Sequence, residues 1–284
     1  AVRVVVKKAE LAFPMRMPTL GDGTNTILEM PLTSTQAHHI EHWVHILWLN
    51  QAAFGGRWFE TVRSERLWCF ARGLAVLPRL LWTRNPGVVT QSFVKKGKNV
   101  RIHPTANVEA SFLGDNVVVG ARASVRNSIV GDNVVIGDHA SVLSSTLGNG
   151  VKVTPRTCVV WSAAYPDAIL SNYKLQVSVI GKGASLSTWA GFIDAKLQGS
   201  VDVHHDGQLR STERSFLGSC LGHGAHVGAK VLLLPGREVP NGALITMRDD
   251  ELIRDVPADL PAGVAVVRDR GTLVPLTSLR APSA

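Results

Sequence analysis

The sequence predicts a mainly β chain: a parallel β-helix of short strands, preceded by a helical region and followed by an extended tail. Three observations carry this. Aliphatic residues recur every 17 positions in three interleaved series, Gly and Asn punctuate the intervals, and the clear helical patterns lie before residue 83. Hydrophobic residues make up 45% and charged residues 18% of the 284, a globular rather than a disordered balance.

The first series is Ile102, Val119, Ile136 and Val153. The second is Val108, Val125, Val142 and Val159, and the third is Leu113, Val130 and Leu147. Within one coil the spacings are 6, 5 and 6. Such a pattern describes a three-sided coil whose sides each send one aliphatic side chain inward. Each buried aliphatic contributes about 1.5–3 kcal/mol before entropy. One coil cannot hide its own face, so several must stack. A helix would be interrupted by Gly114, Asn116, Gly120, Asn127, Gly131, Asn133 and Gly137, residues that suit tight corners with positive φ.

The pairs Leu113-Gly114, Val130-Gly131, Ile136-Gly137 and Leu147-Gly148 resemble the aliphatic-Gly-x4 hexapeptide of left-handed β-helix acyltransferases. Residues 125–137 are similar to the β-helix tail of sugar-phosphate nucleotidylyltransferases. The resemblance covers roughly residues 98–249. It implies a left-handed parallel β-helix, a homotrimer with sites between subunits, and acetyl-CoA as co-substrate. The implied acceptor is an amino-sugar phosphate or a nucleotide sugar.

A second repeat block carries Ile180-Gly181, Leu217-Gly218, Leu221-Gly222 and Val227-Gly228, then Pro235-Gly236 and Asn241-Gly242. Two segments, 161–178 and 195–216, read as loops leaving the coil, and such loops often shape a ligand site. This layout resembles the C-terminal half of bifunctional nucleotidylyltransferase/amino-sugar acetyltransferases. On that resemblance Tyr173 stands where the family has a Tyr. The family's catalytic His falls at Leu170 or Ser171, its Asn at Lys196 and its Lys at Phe216. Chemistry has therefore moved to other residues or been lost.

Acyl transfer to an amine needs a base and donors for the oxyanion. His223 and His205 are the candidate bases, with Tyr173 beside them. The pantetheine arm of an acyl-CoA is expected along Gly228, Ala229 and Lys230, and its phosphates at Arg237. The competing function is a catalytically silent β-helix that binds a nucleotide sugar or serves as an assembly scaffold. His223-x2-His226 departs from the His-x4-His pair of β-helix carbonic anhydrases, which disfavours a zinc enzyme.

Residues 35–53 read as an amphipathic helix with Ile40, Val44, Leu47 and Trp48 on one face and a cap at Thr33, Ser34 or Thr35. His38, His42 and His45 line a neighbouring face, and 38–42 fits H-x-x-E-H. No third ligand is evident, so a polar stripe is preferred and no metal is expected. A second helix over 57–77, ended by Pro78, carries Arg57, Trp58, Arg63, Arg66, Trp68 and Arg72. It is read as docking on the coil or a neighbouring subunit, and is compatible with contact to an anionic membrane surface.

The expected organisation is a two-helix region at 1–97, the β-helix at 98–249 and an extended tail at 250–284 that includes Val264–Val267. The chain begins without Met, so an upstream domain is left open. The formal charge of +8 suits phosphorylated ligands, but the basic residues are scattered and fit no nucleic-acid motif. Cys69, Cys158 and Cys220 lack CxxC spacing, and a reducing cytoplasmic setting is expected. No apolar run reaches the roughly 18 residues of a membrane span.

Overall fold

A computed structural model describes residues 12–17, 26–31, 40–83, 87–171, 174–248, 263–269 and 272–275. The chain forms two compact units, Ala1–Leu244 and Ile245–Ala284. The second contains an antiparallel hairpin, Val266–Asp269 with Thr272–Pro275, where a single extended segment was expected. Near the N-terminus, strands Ala12–Met17 and Thr26–Pro31 pair antiparallel, an element absent from the sequence reading.

The first unit is a parallel β-solenoid whose rungs pair in the predicted register. Leu113 stacks on Val130, Ile136 on Val153 and Val142 on Val159. All six are buried, so the three series are the core. The first face runs from Lys95–Lys96 through Phe112–Leu113, Ile129–Val130, Thr146–Leu147, Ala163–Ala164, Val179–Ile180 and Cys220–Leu221 to Glu238–Val239. The second runs from Arg101–Ile102 through Ile169–Leu170 and Ser185–Leu186 to His226–Val227. The third runs from Asn107–Glu109 to Lys174–Gln176, and Gly191–Phe192 pairs with Leu232–Leu233 above it.

Polar columns with the same period hold the corners. Ser111, Ser128, Ser145, Ser162, Ser178 and Ser219 are buried. The Ser145 hydroxyl donates to Leu143 O (2.8 Å) and accepts from Ser162 N (3.1 Å). At another corner Asp115 N donates to Asp132 Oδ1 and Asp132 N to Asn149 Oδ1. Asn99, Asn116 and Asn133 take φ of 54°, 57° and 57°, and Gly150 continues their column at 71°. Gly114 is needed for close approach: a Cβ there would lie 2.3 Å from Asp132 Oδ1 and 2.7 Å from the Gly131 carbonyl carbon.

The reading of 161–178 as a departing loop is corrected. Ala163–Ala164, Ile169–Leu170 and Lys174–Gln176 form a regular coil paired above and below. Alanines in place of larger aliphatics, and a step of 16 rather than 17 to the next rung, hid the repeat. The segment 195–216 does leave the coil, as the hairpin Asp202–His205 with Gln208–Ser211.

The helices also shift. α1 spans Trp43–Ser64 and α2 spans Arg66–Thr83, with the break at Glu65. His42 is the N-cap, its ring accepting from Val44 N; the expected cap at Thr33–Thr35 lies outside the described residues. Gly55 does not end α1, and Pro78 does not end α2. The carbonyl Pro78 leaves without an amide partner belongs to exposed Leu74, where water can satisfy it.

α1 lies across the first face. Trp43 Nε1 donates to Glu238 Oε1, Gln51 Nε2 to Ser144 O, and the Trp58 ring sits 4.6 Å from that of Phe112. From Trp43 to Trp58 the helix rises about 22 Å. The six rung steps from Phe112 to Glu238 span about 29 Å, and the side chains at both ends supply the difference. α3 (Gly87–Ser92) covers the start of the third face. There Ala110 N donates to Thr90 O, Thr90 Oγ1 to Glu109 and Gln91 Nε2 to Asn107.

Replacing Ser145 by Ala strands the buried Ser162 N–H. The variant is expected to lose about 1–3 kcal/mol of stability in denaturant titration monitored by circular dichroism.

Candidate functional site at the junction of helix, hairpin and last coils

The start of α1, the inserted hairpin and the last coils meet on the first face. Their apolar floor is Trp43, Leu47, Val177, Val179, Val201, Val203 and Leu217, with Trp161, Tyr165, Phe216 and Cys220 packed against it. Val177 holds φ of 49°, costly for a β-branched residue, and is fixed there by this packing.

Polar groups ring that floor. His42 Nε2 lies 2.8 Å from Glu238 Oε1 and 3.0 Å from His204 O. Its Nδ1 accepts from Val44 N, so Nε2 carries the proton and donates to both. Both nitrogens are thus engaged, and His42 is a structural tie between α1, the hairpin and the last rung. The His205 ring packs edge-on to His42 at 5.8 Å, and its Nε2 lies 3.5 Å from Asp206 Oδ2.

His223 sits on a corner of the coil, its ring edge-on to Tyr165 at 5.5 Å. Its Nδ1 accepts from Lys182 N at 2.8 Å, and its own N–H donates to Asn241 Oδ1. Neutral His223 therefore presents Nε2–H, a donor, where the sequence reading proposed a base. The two rings thus differ in their surroundings: His205 Nε2 has the Asp206 carboxylate nearby, and His223 Nδ1 is occupied by the Lys182 amide.

Tyr165, which the sequence reading left among the loop residues, occupies a column otherwise filled by Gly114, Gly131, Gly148, Gly181 and Gly222. That break was the signal available for it. Tyr173 lies outside the described residues, as does His38 of the H-x-x-E-H pattern. Among the described residues no group of three or more His, Cys, Asp or Glu is placed to hold a metal.

The remaining candidates are dispersed. Gly228, Ala229 and Lys230 turn the corner between His226–Val227 and Leu232–Leu233, with Lys230 N bonded to Thr188 O. Arg237 follows the next corner, beside Glu238. His223 occupies a third corner of the same turn, so the triangular coil holds these residues apart within one chain.

Positions where the family resemblance expects catalytic groups have structural work instead. Leu170 is core, and Lys196 Nζ is bound by Asp202 and Ser200 O. Phe216 packs on the apolar floor. Burial, then the nearby Glu238 charge, pushes the Cys220 thiol from 9.0 up to about 12. Burial also raises the Cys158 thiol, which Lys174 partly offsets.

Two outcomes follow. Trp43→Ala should cost about 3–5 kcal/mol, read from the denaturation midpoint, because the floor loses its largest side chain. Below pH 9 the folded and unfolded chains both hold the Cys220 proton. Above it the unfolded chain releases that proton first, so stability should fall from pH 9 towards about 12, less steeply in Cys220→Ala.

Solved structures with partial likeness include PerB from Caulobacter crescentus in complex with CoA and GDP-perosamine (20% identity, TM-score 0.23, 51% of this chain and 52% of that one). A second is UDP-N-acetylglucosamine acyltransferase from Campylobacter jejuni (12%, 0.27, 49% and 64%). A third is UDP-N-acetylglucosamine O-acyltransferase from Moraxella catarrhalis (13%, 0.23, 54% and 65%). The chain thus spans 52–65% of the length of these three proteins. No curated protein shows significant similarity to the chain. Residues 85–180, which include α3 and the coils before the hairpin, match the family model of the GMPPB C-terminal domain.

Proposed function

We propose that the chain is an acyl-CoA-dependent acyltransferase-like protein of sugar-nucleotide or cell-envelope metabolism, acting on an amino-sugar phosphate or nucleotide sugar. The observation that carries this reading is His205, held at the hairpin tip between the His42 ring and the Asp206 carboxylate. With Nε2–H directed to Asp206, Nδ1 takes a proton from the attacking amine. The amine nitrogen bonds to the thioester carbonyl carbon, the carbon–sulfur bond breaks, and CoA leaves as a thiolate that collects a proton. His223 Nε2–H donates to the acceptor or to the oxyanion.

Gly228, Ala229, Lys230 and Arg237 would flank acetyl-CoA. Because they occupy separate corners of one turn, a homotrimer is the arrangement in which corners of adjacent copies line one groove. No helix among the described residues is long and apolar enough to cross a membrane; a cytoplasmic setting is part of the same proposal.

The second reading is a silent nucleotide-sugar binder or assembly scaffold. It is favoured by His42 and His223, whose Nδ1 atoms are already occupied, and by the structural work of Leu170, Lys196 and Phe216.

Isothermal titration with acetyl-CoA separates the two. Binding near micromolar Kd, with CoA release that falls by about 10²–10⁴ in His205→Ala, is the expected result. A smaller loss in kcat is expected for His223→Ala. Absence of binding at millimolar acetyl-CoA leaves the silent binder.

A further inference from the structure

A cleft of about 320 Å³ lies at the opposite end of the solenoid from the hairpin site. It opens where α2, the end of α3 and the first rung meet, and Trp68, Arg72, Gln91, Val94, Lys95 and Lys96 are among the residues that line it. Seven rung steps, about 34 Å, separate Lys95 from Glu238 along the first face. Three of the lining side chains are cationic and none is acidic.

The wall of the cleft is held from behind. The Trp68 ring packs edge-on to Phe93 at 6.1 Å, Phe93 edge-on to Trp58 at 6.4 Å, and Trp58 lies 4.6 Å from Phe112. This chain of rings ties α2 to the first face. The Arg72 guanidinium and the Lys95 ammonium each sit 5.5 Å from the Trp68 ring centroid. A guanidinium resting on a ring keeps the N–H donors of its fork for an anion.

Lys96 reaches the cleft for a different reason. It pairs with Leu113 at the start of an inward column that Val130 continues. At the open end of that stack a lysine covers the core with its stem and keeps its ammonium in water. Glu65 pairs with Lys95 and answers one of the three charges. Among the described residues, Arg72 and Lys96 have no carboxylate partner. Two unanswered positive charges therefore line one concave space.

That count selects the ligand. A carboxylate or a phosphodiester carries one negative charge and would leave a cation unanswered. A phosphate monoester carries close to two at pH 7, and its three oxygens can accept from an arginine fork and an ammonium together. The volume is at the lower end of small-molecule sites, and buried Val94 offers an apolar contact to an organic group.

We propose that this cleft binds a phosphate monoester, with Arg72 and Lys96 on the phosphoryl oxygens and Val94 beside the organic group. The site is separate from the hairpin site and holds for either reading of it.

The probes are phenyl phosphate and phenyl sulfate, similar in shape but carrying close to two and one negative charges. In calorimetric titration of the full chain, phenyl phosphate should bind with submillimolar Kd, at least about tenfold tighter than phenyl sulfate. Arg72→Ala and Lys96→Ala should each weaken phenyl phosphate at least about tenfold. Arg72→Lys, which keeps the charge but not the fork, should fall between. Arg237→Ala, at the far end, should bind as the wild type does. Circular dichroism checks folding, and Arg72→Gln or Lys96→Gln replaces a variant that misfolds. Co-sedimentation with phosphatidylcholine vesicles containing phosphatidic acid assigns the source. Binding lost in the same variants makes the monoester a lipid headgroup, and absence of binding makes it a soluble metabolite. The proposal is overturned if millimolar phenyl phosphate does not bind, if phenyl sulfate binds equally well, or if Arg72→Ala and Lys96→Ala bind as the wild type does. Binding that only Arg237→Ala removes also overturns it and places the anion at the hairpin end.

Discussion

Every strand of the solenoid is two or three residues long in sequence and stable only because the rungs above and below present their amides at matching height. That vertical register is the constraint from which the rest follows. It fixes the 17-residue step, because a coil of another length must absorb the difference at a corner. It turns each position into a column, so one good residue type is used repeatedly: Val or Leu inward, Ser at a buried corner, Asp or Asn where a neighbouring amide needs an acceptor. It also supports positive φ at the Asn99, Asn116 and Asn133 corners, since the Asn116 and Asn133 amides bond to the coil below and the three side chains bond one to the next.

Much of this was legible. The inward columns are regular in sequence and proved regular in space, because burial on a fixed period admits few alternatives. What escaped was whatever weakened the contrast. Ala163 and Ala164 fill inward and outward places with too little side chain to announce a rung. The outward column Phe112, Ile129, Thr146, Ala163 and Val179 is apolar apart from Thr146, which signals that the first face is covered, and α1 covers it. Read by helical spacing alone, His38, His42 and His45 formed a polar stripe with no assigned partners. The partners that decide the role of His42, Glu238 and the His204 carbonyl, lie 196 and 162 residues away in sequence.

The site was less legible than the fold for the same reason. Histidine chemistry depends on which nitrogen is already bonded, and that is set by amides such as Lys182 N that no local pattern reveals. The sequence offered His205 and His223 for one task, and the structure gives their ring nitrogens different neighbours. The family match ends at residue 180, before the hairpin and the last coils. The region of likeness and the region of candidate chemistry meet at Tyr165, which belongs to the first and touches the second.

The small helix α3 has a consequence for assembly. A stack of parallel rungs ends in bare amides and carbonyls, and such an end is a template on which another copy could continue the stack into a fibre. Here Thr90 and Gln91 occupy the first rung of the third face, and the opening strands of the other two faces carry Lys95, Lys96 and Arg101. Like charges meeting head to head would repel. That end of the column therefore disfavours a second copy presenting the same end.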